Sequence, residues 1–276
     1  MALKFLATID VFQAIILGIV QGLTEWLPIS SSGHLALVQL AMGLKVPVFY
    51  DSILHIGTLI SVFAIYRKDI ADIVKSVAFQ DNKVVDGKYP RGRRMLWFII
   101  LGTVPTGIIG LTFRSFFESS FYDPLSIAVG FIVSGVFVML TAFLKAGHKN
   151  LEQVDAVLMG VGQGISIFSS ISRSAATIAT GMFRGVERDQ LVRFSFLLSI
   201  PAILGAVTID AVLTQGERGA EDIHSISVES YVIGASISAI VGYASIHILI
   251  RLVTRGKFYI FAFYCFAIGI ATFFLL

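Results

Sequence analysis

Gly18-Ile19-Val20-Gln21-Gly22-Leu23-Thr24-Glu25-Trp26-Leu27-Pro28-Ile29-Ser30-Ser31-Ser32-Gly33-His34 decides how this chain folds. The stretch lies inside an apolar segment, Val11–Leu40, that is long enough to cross a bilayer but is broken by Glu25, Pro28, three consecutive serines, Gly33 and His34. A proline removes a helical donor, and a serine is a preferred first cap for the helix that follows. The segment therefore reads as two half-helices around a polar turn, a re-entrant hairpin. Irregular backbone survives at membrane depth only where protein or a water-filled cavity covers it. A second segment, Ala156–Phe183, is interrupted in the same manner by Ser169-Ser170-Ile171-Ser172-Arg173-Ser174.

The rest of the chain fits a membrane setting. Of its 276 residues 56% are apolar and 14% charged, with a mean hydropathy of +0.84; ordinary soluble domains carry roughly 25% charged residues. This excludes a disordered chain, a coiled coil and a soluble enzyme. Alternating apolar and polar strands of about ten residues are absent, which argues against a β-barrel. The one cysteine, Cys265, leaves no internal disulfide and no thiolate metal cluster. No small-x-small cleavage site follows the apolar run Val11 to Val20, so the N-terminus reads as retained.

Six stretches have the length of spans: Val46–Tyr66, Met95–Phe113, Pro124–Leu144, Phe194–Ala211, Ser230–Ile250 and Phe258–Leu276. With the first hairpin entering and leaving on the outer side and the second on the opposite side, residues 67–94, 145–155, 184–193 and 251–257 share a face. That face holds 16 Lys and Arg; the other holds 4, namely Lys4, Lys45, Arg114 and Arg218. The basic face is then cytoplasmic and both termini lie outside, in a multi-pass protein of the plasma (inner) membrane. The Lys/Arg-rich loop 67–94 reads as a topology and lipid-headgroup feature. No nucleic-acid partner is expected.

Displaced by 142 residues, the sequence repeats itself. Six of the 17 positions from 18 to 34 are identical, among them Gly18/Gly160, Gln21/Gln163, Gly22/Gly164 and Ser30/Ser172. Each half, 1–145 and 146–276, is then one re-entrant hairpin plus three transmembrane helices. Three is odd, so the halves are inverted, in a single all-α polytopic membrane domain. Inverted-repeat proteins place their ligand sites near the midplane, where the hairpin tips meet.

The tips gather Gln21, Glu25, Ser30, Ser31, Ser32 and His34 with Gln163, Ser172, Arg173, Ser174 and Thr177. Each central charge costs about 2.5–3.5 kcal/mol to insert. Two serine-capped helix N-termini and an arginine suit phosphate. A carboxylate beside phosphate points to a divalent cation, a general base or a salt bridge to the arginine. A serine beside a histidine also permits a covalent phospho-enzyme. The structural alternatives are a Glu25–Arg173 bridge that locks the hairpins, small serines that allow close packing, and a packing role for His34. Gln21 and Gln163 read first as hydrogen-bond bridges between hairpins, beside the substrate rather than in the chemistry. Asp51 and His55 line the same cavity or sit at the outer boundary. Asp210, His224 and His247 carry no signal.

These motifs resemble the undecaprenyl-diphosphate phosphatases linked to bacitracin resistance, over essentially the whole chain. The family's E-G-x-T-E-x-x-P-[IV]-S-S-[ST]-G-H corresponds to Gln21–His34, and its P-G-x-S-R-S-G-x-T to Ser169–Thr177. Phe49-x-Asp51…His55-x-Gly57-Thr58, Gly102-Thr103-Val104-Pro105 and Phe194–Pro201 are also similar. The resemblance implies metal-dependent hydrolysis of long-chain polyprenyl diphosphate to the monophosphate at an outward-facing site, which recycles the lipid carrier of cell-envelope glycan synthesis. It implies a divalent cation, Mg²⁺ or Ca²⁺, with Glu25 in metal binding or acid–base work. Ser31 becomes nucleophile or phosphate ligand, His34 base or phospho-acceptor, and Arg173 the diphosphate clamp. Ser30, Ser32, Ser172, Ser174 and Thr177 become the phosphate cradle, with Gln21 and Gln163 beside it. A homodimer stays open as the assembly. A polyprenyl-phosphate flippase and a non-catalytic lipid-phosphate binder are the alternative functions. Three departures matter. Gln21 replaces the first motif glutamate, Ser169-Ser170 replaces Pro-Gly, and Ala175 replaces a glycine. A turn that needs positive φ at Ser170 or Ala175 would be strained.

Overall fold

In the computed structural model, residues 9–44, 46–78, 92–168, 170–213 and 226–274 are described, apart from the side chains of 117–119. Lys4, Lys45, Arg218 and His224, much of the 67–94 loop, and Ser169 lie outside the described residues. Among the described residues the regular structure is helical, with one isolated bridge between Lys149 and Val186.

The first apolar segment forms α1 (Val11–Thr24) and α2 (Ser31–Ala41), divided at Glu25 to Ser30 as the sequence implies. Asp10 starts α1 with a capping box: its carboxylate accepts from Gln13 N at 2.7 Å, and Gln13 Oε1 accepts from Asp10 N at 3.0 Å. α3 (Val48–Ile65) follows, then α4 (Arg67–Ala78), α5 (Arg93–Thr112), the short α6 (Arg114–Ser120) and α7 (Pro124–Leu140), with a 3₁₀ turn at Thr141–Phe143. Asp123 caps α7, and Pro124 occupies its first turn, where no amide donor is needed. The second interrupted segment forms α8 (Gln153–Ile165) and α9 (Arg173–Phe183). α10 (Arg188–Leu213), α11 (Val228–Thr254) and α12 (Ile260–Phe274) complete the bundle.

α3, α5, α10, α11 and the α7 stretch Pro124–Phe143 are long and apolar enough to cross a membrane. These are five of the six spans expected. The sixth, α12, is a shorter apolar helix of 15 described residues. Phe12, Ile60, Ile108, Leu111, Ile240, Phe263 and Phe273 are exposed on the outside of the bundle, as a lipid-facing surface requires. α4 was not anticipated: Ile70 and Ile73 pack against the core while Arg67, Lys68 and Lys75 face outward, a helical period within a segment read as loop.

Contacts pair the halves crosswise. α1 packs on α11, and α8 packs on α5; α3 meets α10, and α7 meets α12. Small residues set the first two interfaces. A Cβ on Gly160 would sit 2.1 Å from the Gly102 carbonyl oxygen, and one on Gly18 would sit 2.7 Å from that of Gly234. Backbones this close need glycine on both helices. Thr106 fixes the register of α5 on α8 by donating to Gly160 O at 2.8 Å. The apolar core runs through Trp26, Phe98, Met159, Ala175, Ile178, Phe194 and Leu197, so it surrounds the second hairpin and holds its tip against the first.

Candidate active site

Both hairpins turn on serine caps. Ser30 Oγ accepts from Gly33 N at 3.2 Å at the start of α2, and Ser172 Oγ accepts from Ala175 N at 3.2 Å at the start of α9. The first residues of these helices, Ser31 and Arg173, both reach Glu25. Two helix N-termini, each with free amides and a partial positive charge, thus flank one carboxylate.

Glu25 is buried, and each of its oxygens is used. Oε1 accepts from Arg173 Nη2 in an inter-hairpin ion pair. Oε2 accepts from Ser31 Oγ at 2.6 Å and from Gln21 Nε2 at 3.0 Å. His55 Nε2 lies 3.4 Å from the same oxygen. These contacts offset the cost of burying the charge, which an isolated carboxylate would not survive. The Arg173 guanidinium lies 5.2 Å over the Trp26 ring, a cation–π contact that flattens it against one wall. Trp26 is itself fixed by donating Nε1–H to Ser61 Oγ at 3.1 Å.

His55 resolves an open alternative. Its Nδ1 donates to the Asp51 carbonyl oxygen at 2.7 Å, which turns Nε2 toward Glu25. Asp51 does not join it there. Its carboxylate accepts from Gln39 Nε2 at 2.9 Å, and Tyr122 OH donates to Gln39 Oε1 at 2.9 Å, a separate buried network.

His34 is not bonded to Glu25 or Arg173. Its Nδ1 donates to Ser30 O at 2.7 Å, and Nε2 meets Tyr264 OH at 2.7 Å, with the two rings stacked. Ser32 Oγ is 3.4 Å from Ser30 Oγ. Ser174 Oγ donates to Leu27 O at 3.1 Å, which ties the second tip to the first. Thr177 Oγ1 donates to Arg173 O at 2.9 Å and lies 2.6 Å from Ser195 Oγ. The two glutamines do not bridge the hairpins. Gln21 Nε2 donates to Glu25 on its own hairpin, and Gln163 Nε2 donates to Thr106 Oγ1 at 3.3 Å on the neighbouring α5.

Strain falls at one of the two positions that the sequence departures raise. Ser170 has φ +58, where the family motif carries glycine, whereas Ala175 sits inside α9. Ser30, just before Ser31, has φ +68. Non-glycine residues in this region cluster at functional sites.

Among the described residues, the buried side-chain atoms Gln21 Oε1, Gln163 Oε1 and Arg173 Nη1 have no hydrogen-bond partner. Two belong to residues that touch Glu25. Buried polar atoms are normally satisfied, so an amide oxygen and a guanidinium N–H stand ready for a ligand with both cationic and anionic character. A metal-bound phosphate is such a ligand.

A family described as "Bacitracin resistance protein BacA" matches residues 14–271. A protein of Carboxydothermus hydrogenoformans named undecaprenyl-diphosphatase is 40% identical over 263 residues, covering 94% of this chain and 95% of its own. Proteins of the same name from Methanosphaera stadtmanae and Korarchaeum cryptofilum are 36% and 34% identical, covering 96% and 95% of this chain and 97% and 98% of theirs. With the match running nearly end to end and through both tips, this chain belongs to the BacA family of bacitracin resistance proteins.

Proposed function

We propose that this chain hydrolyses undecaprenyl diphosphate to the monophosphate and phosphate at the hairpin tips. One observation carries the reading: Ser31 Oγ–H donates to Glu25 Oε2 at 2.6 Å while the other Glu25 oxygen holds Arg173. A hydroxyl bonded to a buried carboxylate is a nucleophile with its base in place. Ser31 Oγ attacks the terminal phosphorus, its proton passes to Glu25, and the bond from that phosphorus to the bridging oxygen breaks. Polyprenyl monophosphate departs, and water then cleaves the phosphoserine. Arg173, held to Glu25 through Nη2, meets the diphosphate with Nη1, its unpartnered nitrogen. His34 acts through position: its bond to Ser30 O holds the positive-φ turn that aims Ser31. Ser30, Ser32, Ser172, Ser174 and Thr177 form the polar cradle, and Gln21 and Gln163 present their amide oxygens beside it.

The donor set fits a divalent cation. Glu25 and the unpartnered Gln21 Oε1 are oxygen donors of the kind Mg²⁺ and Ca²⁺ take. Among the described residues no group of three or more His, Cys, Asp or Glu stands ready to hold a metal, so substrate phosphate oxygens would complete the set. When bound, the cation supplies positive charge beside the diphosphate.

The setting follows from the same residues. We place the chain in the plasma membrane with both termini outside, on the 16-to-4 asymmetry of Lys and Arg. We read residues 1–145 and 146–276 as inverted repeats, supported by the crosswise packing of α1 on α11 and α8 on α5. A homodimer belongs to this reading and is checked by light scattering of the detergent-solubilised chain; a monomer mass removes it.

The test is rapid quenching of the wild-type chain with terminally radiolabelled undecaprenyl diphosphate. Label on Ser31, absent in Ser31→Ala, is the expected result. Turnover that persists in Ser31→Ala would replace the serine with a water activated by Glu25. Arg173-dependent binding without turnover would make the chain a lipid-phosphate binder.

A further inference from the structure

Away from the hairpin tips, a cavity of about 310 Å³ opens where α3 ends and α4 begins, against the flank of α11. Ala64, Ile65, Arg67, Lys68, Tyr243 and His247 line it. Arg67, Lys68, Tyr243 and His247 are exposed, and no acidic side chain is among the lining residues. Of the two carboxylates on α4, Asp69 is engaged on Arg193 Nη1 at 2.8 Å, and the exposed Asp72 is not among the lining residues. His247 Nδ1 donates to the Tyr243 carbonyl oxygen at 2.9 Å, which leaves Nε2 as the outward ring nitrogen. The Tyr243 and His247 rings lie 4.7 Å apart and form one wall. The cavity thus offers two full cations and polar ring atoms, with alanine and isoleucine in its lining. That is the chemistry of a phosphate attached to something apolar.

Its place in the fold decides what the phosphate belongs to. Arg67 directly follows the apolar span α3 and the single residue Tyr66. α4 packs the partly buried Ile70 and Ile73 against the core but leaves Val74 60% and Val77 51% exposed beside Lys75. A basic helix with exposed valines lies along the membrane surface, with its apolar residues in the acyl boundary. The cavity at its start is therefore at headgroup depth, open to the surrounding lipid.

We propose that this cavity binds the phosphate-bearing headgroup of an anionic membrane lipid, with Arg67 and Lys68 on the phosphate and the Tyr243–His247 wall beside it. The site stands apart from the hairpin tips and does not depend on the reaction assigned to them.

Native mass spectrometry of the full chain in detergent tests it, with phosphatidylglycerol, phosphatidylcholine and inorganic phosphate as separate probes. Each basic side chain near an anionic lipid contributes roughly fivefold in affinity. The double variant R67Q/K68Q should therefore bind phosphatidylglycerol about thirtyfold more weakly. Its hydrolysis of polyprenyl diphosphate in detergent should match wild type, which shows that it has folded. His247→Ala should weaken binding by a smaller factor. Unchanged phosphatidylglycerol binding in R67Q/K68Q would overturn the proposal. So would phosphatidylcholine binding as tightly as phosphatidylglycerol. Displacement of the lipid by millimolar inorganic phosphate would assign the cavity to free phosphate and overturn the lipid assignment.

Discussion

Gly160→Ala is the substitution whose effect is most directly worked from the structure. The added Cβ would lie 2.1 Å from the Gly102 carbonyl oxygen and 2.6 Å from Gly102 Cα. Both are backbone atoms, so neither yields by a side-chain rotation. Ordinary contact begins near 3.5 Å, so α5 and α8 must part by about 1 Å. Overpacking of this kind costs about 1–3 kcal/mol. Separation also stretches the Thr106 Oγ1 bond to Gly160 O, now 2.8 Å, which adds about 1 kcal/mol. The expected loss is about 2–4 kcal/mol. Gly107, also on α5, has nothing within 4 Å of its added Cβ. Gly107→Ala should therefore gain up to about 1 kcal/mol from the stiffer backbone. Gly18→Ala, with 2.7 Å to the Gly234 oxygen, should fall between the two. Thermal unfolding in detergent, followed by circular dichroism, orders the three. If Gly160→Ala were as stable as wild type, or Gly107→Ala as damaging as Gly160→Ala, close backbone contact would not be what holds α8 in place.

Other outcomes follow from single residues. Ser170→Gly removes about 1–2 kcal/mol of left-handed strain against about 0.5–1 kcal/mol of added chain freedom; a small rise in melting temperature is expected, and a fall would show that the φ of +58 is not costly. Gln21→Glu exchanges a donor to Glu25 for a second carboxylate, so it should be less stable than wild type in chelator and recover on adding Mg²⁺; stability indifferent to metal would remove Gln21 from the cation site. Asp155, at the base of α8, bonds Lys149 at 2.9 Å and Arg184 at 2.9 Å. Burial pushes its carboxyl up, but these cations hold it below the usual value near 3.8, so the stability it gives is present above that value and is lost as pH falls through the lowered one. Asp155→Asn should flatten this acid limb and cost about 1–3 kcal/mol at neutral pH, with the partly exposed partners screening part of it; an unaltered acid limb would refute the assignment.

The interruption of two apolar segments by serine and charge was enough to place both breaks, because serine caps start a new helix and a bare Glu25 or Arg173 is costly to bury; Pro28 alone would not decide it, since α5 and α10 run through Pro105 and Pro201. What it could not supply was depth and facing. His55 and Asp51 are one turn apart, yet only the packing of α3 against α1 and α11 turns the His55 ring to Glu25 and leaves the Asp51 side chain with Gln39 and Tyr122. The glutamines matched each other in the repeat, but their partners lie on their own hairpin and on α5, which a linear comparison does not see. α4 was missed although Ile70, Ile73, Val74 and Val77 have helical spacing, because the surrounding charges read as a loop. The strain at Ser170 was visible as a missing glycine before its φ was known. The Lys149–Asp155–Arg184 cluster joins residues 29 apart through the loops flanking the second hairpin, and no local pattern marks it.

The most direct test is phosphate release from undecaprenyl diphosphate by the purified chain with Mg²⁺, with Ca²⁺ and with chelator, for wild type, Glu25→Gln and Arg173→Ala. Metal-dependent release by wild type is predicted, falling by about 10²–10⁴ in Glu25→Gln, where the base is gone, and lost in Arg173→Ala. Release that survives in Glu25→Gln at the wild-type rate would contradict the central claim that Glu25 activates Ser31 at the meeting of the two hairpins.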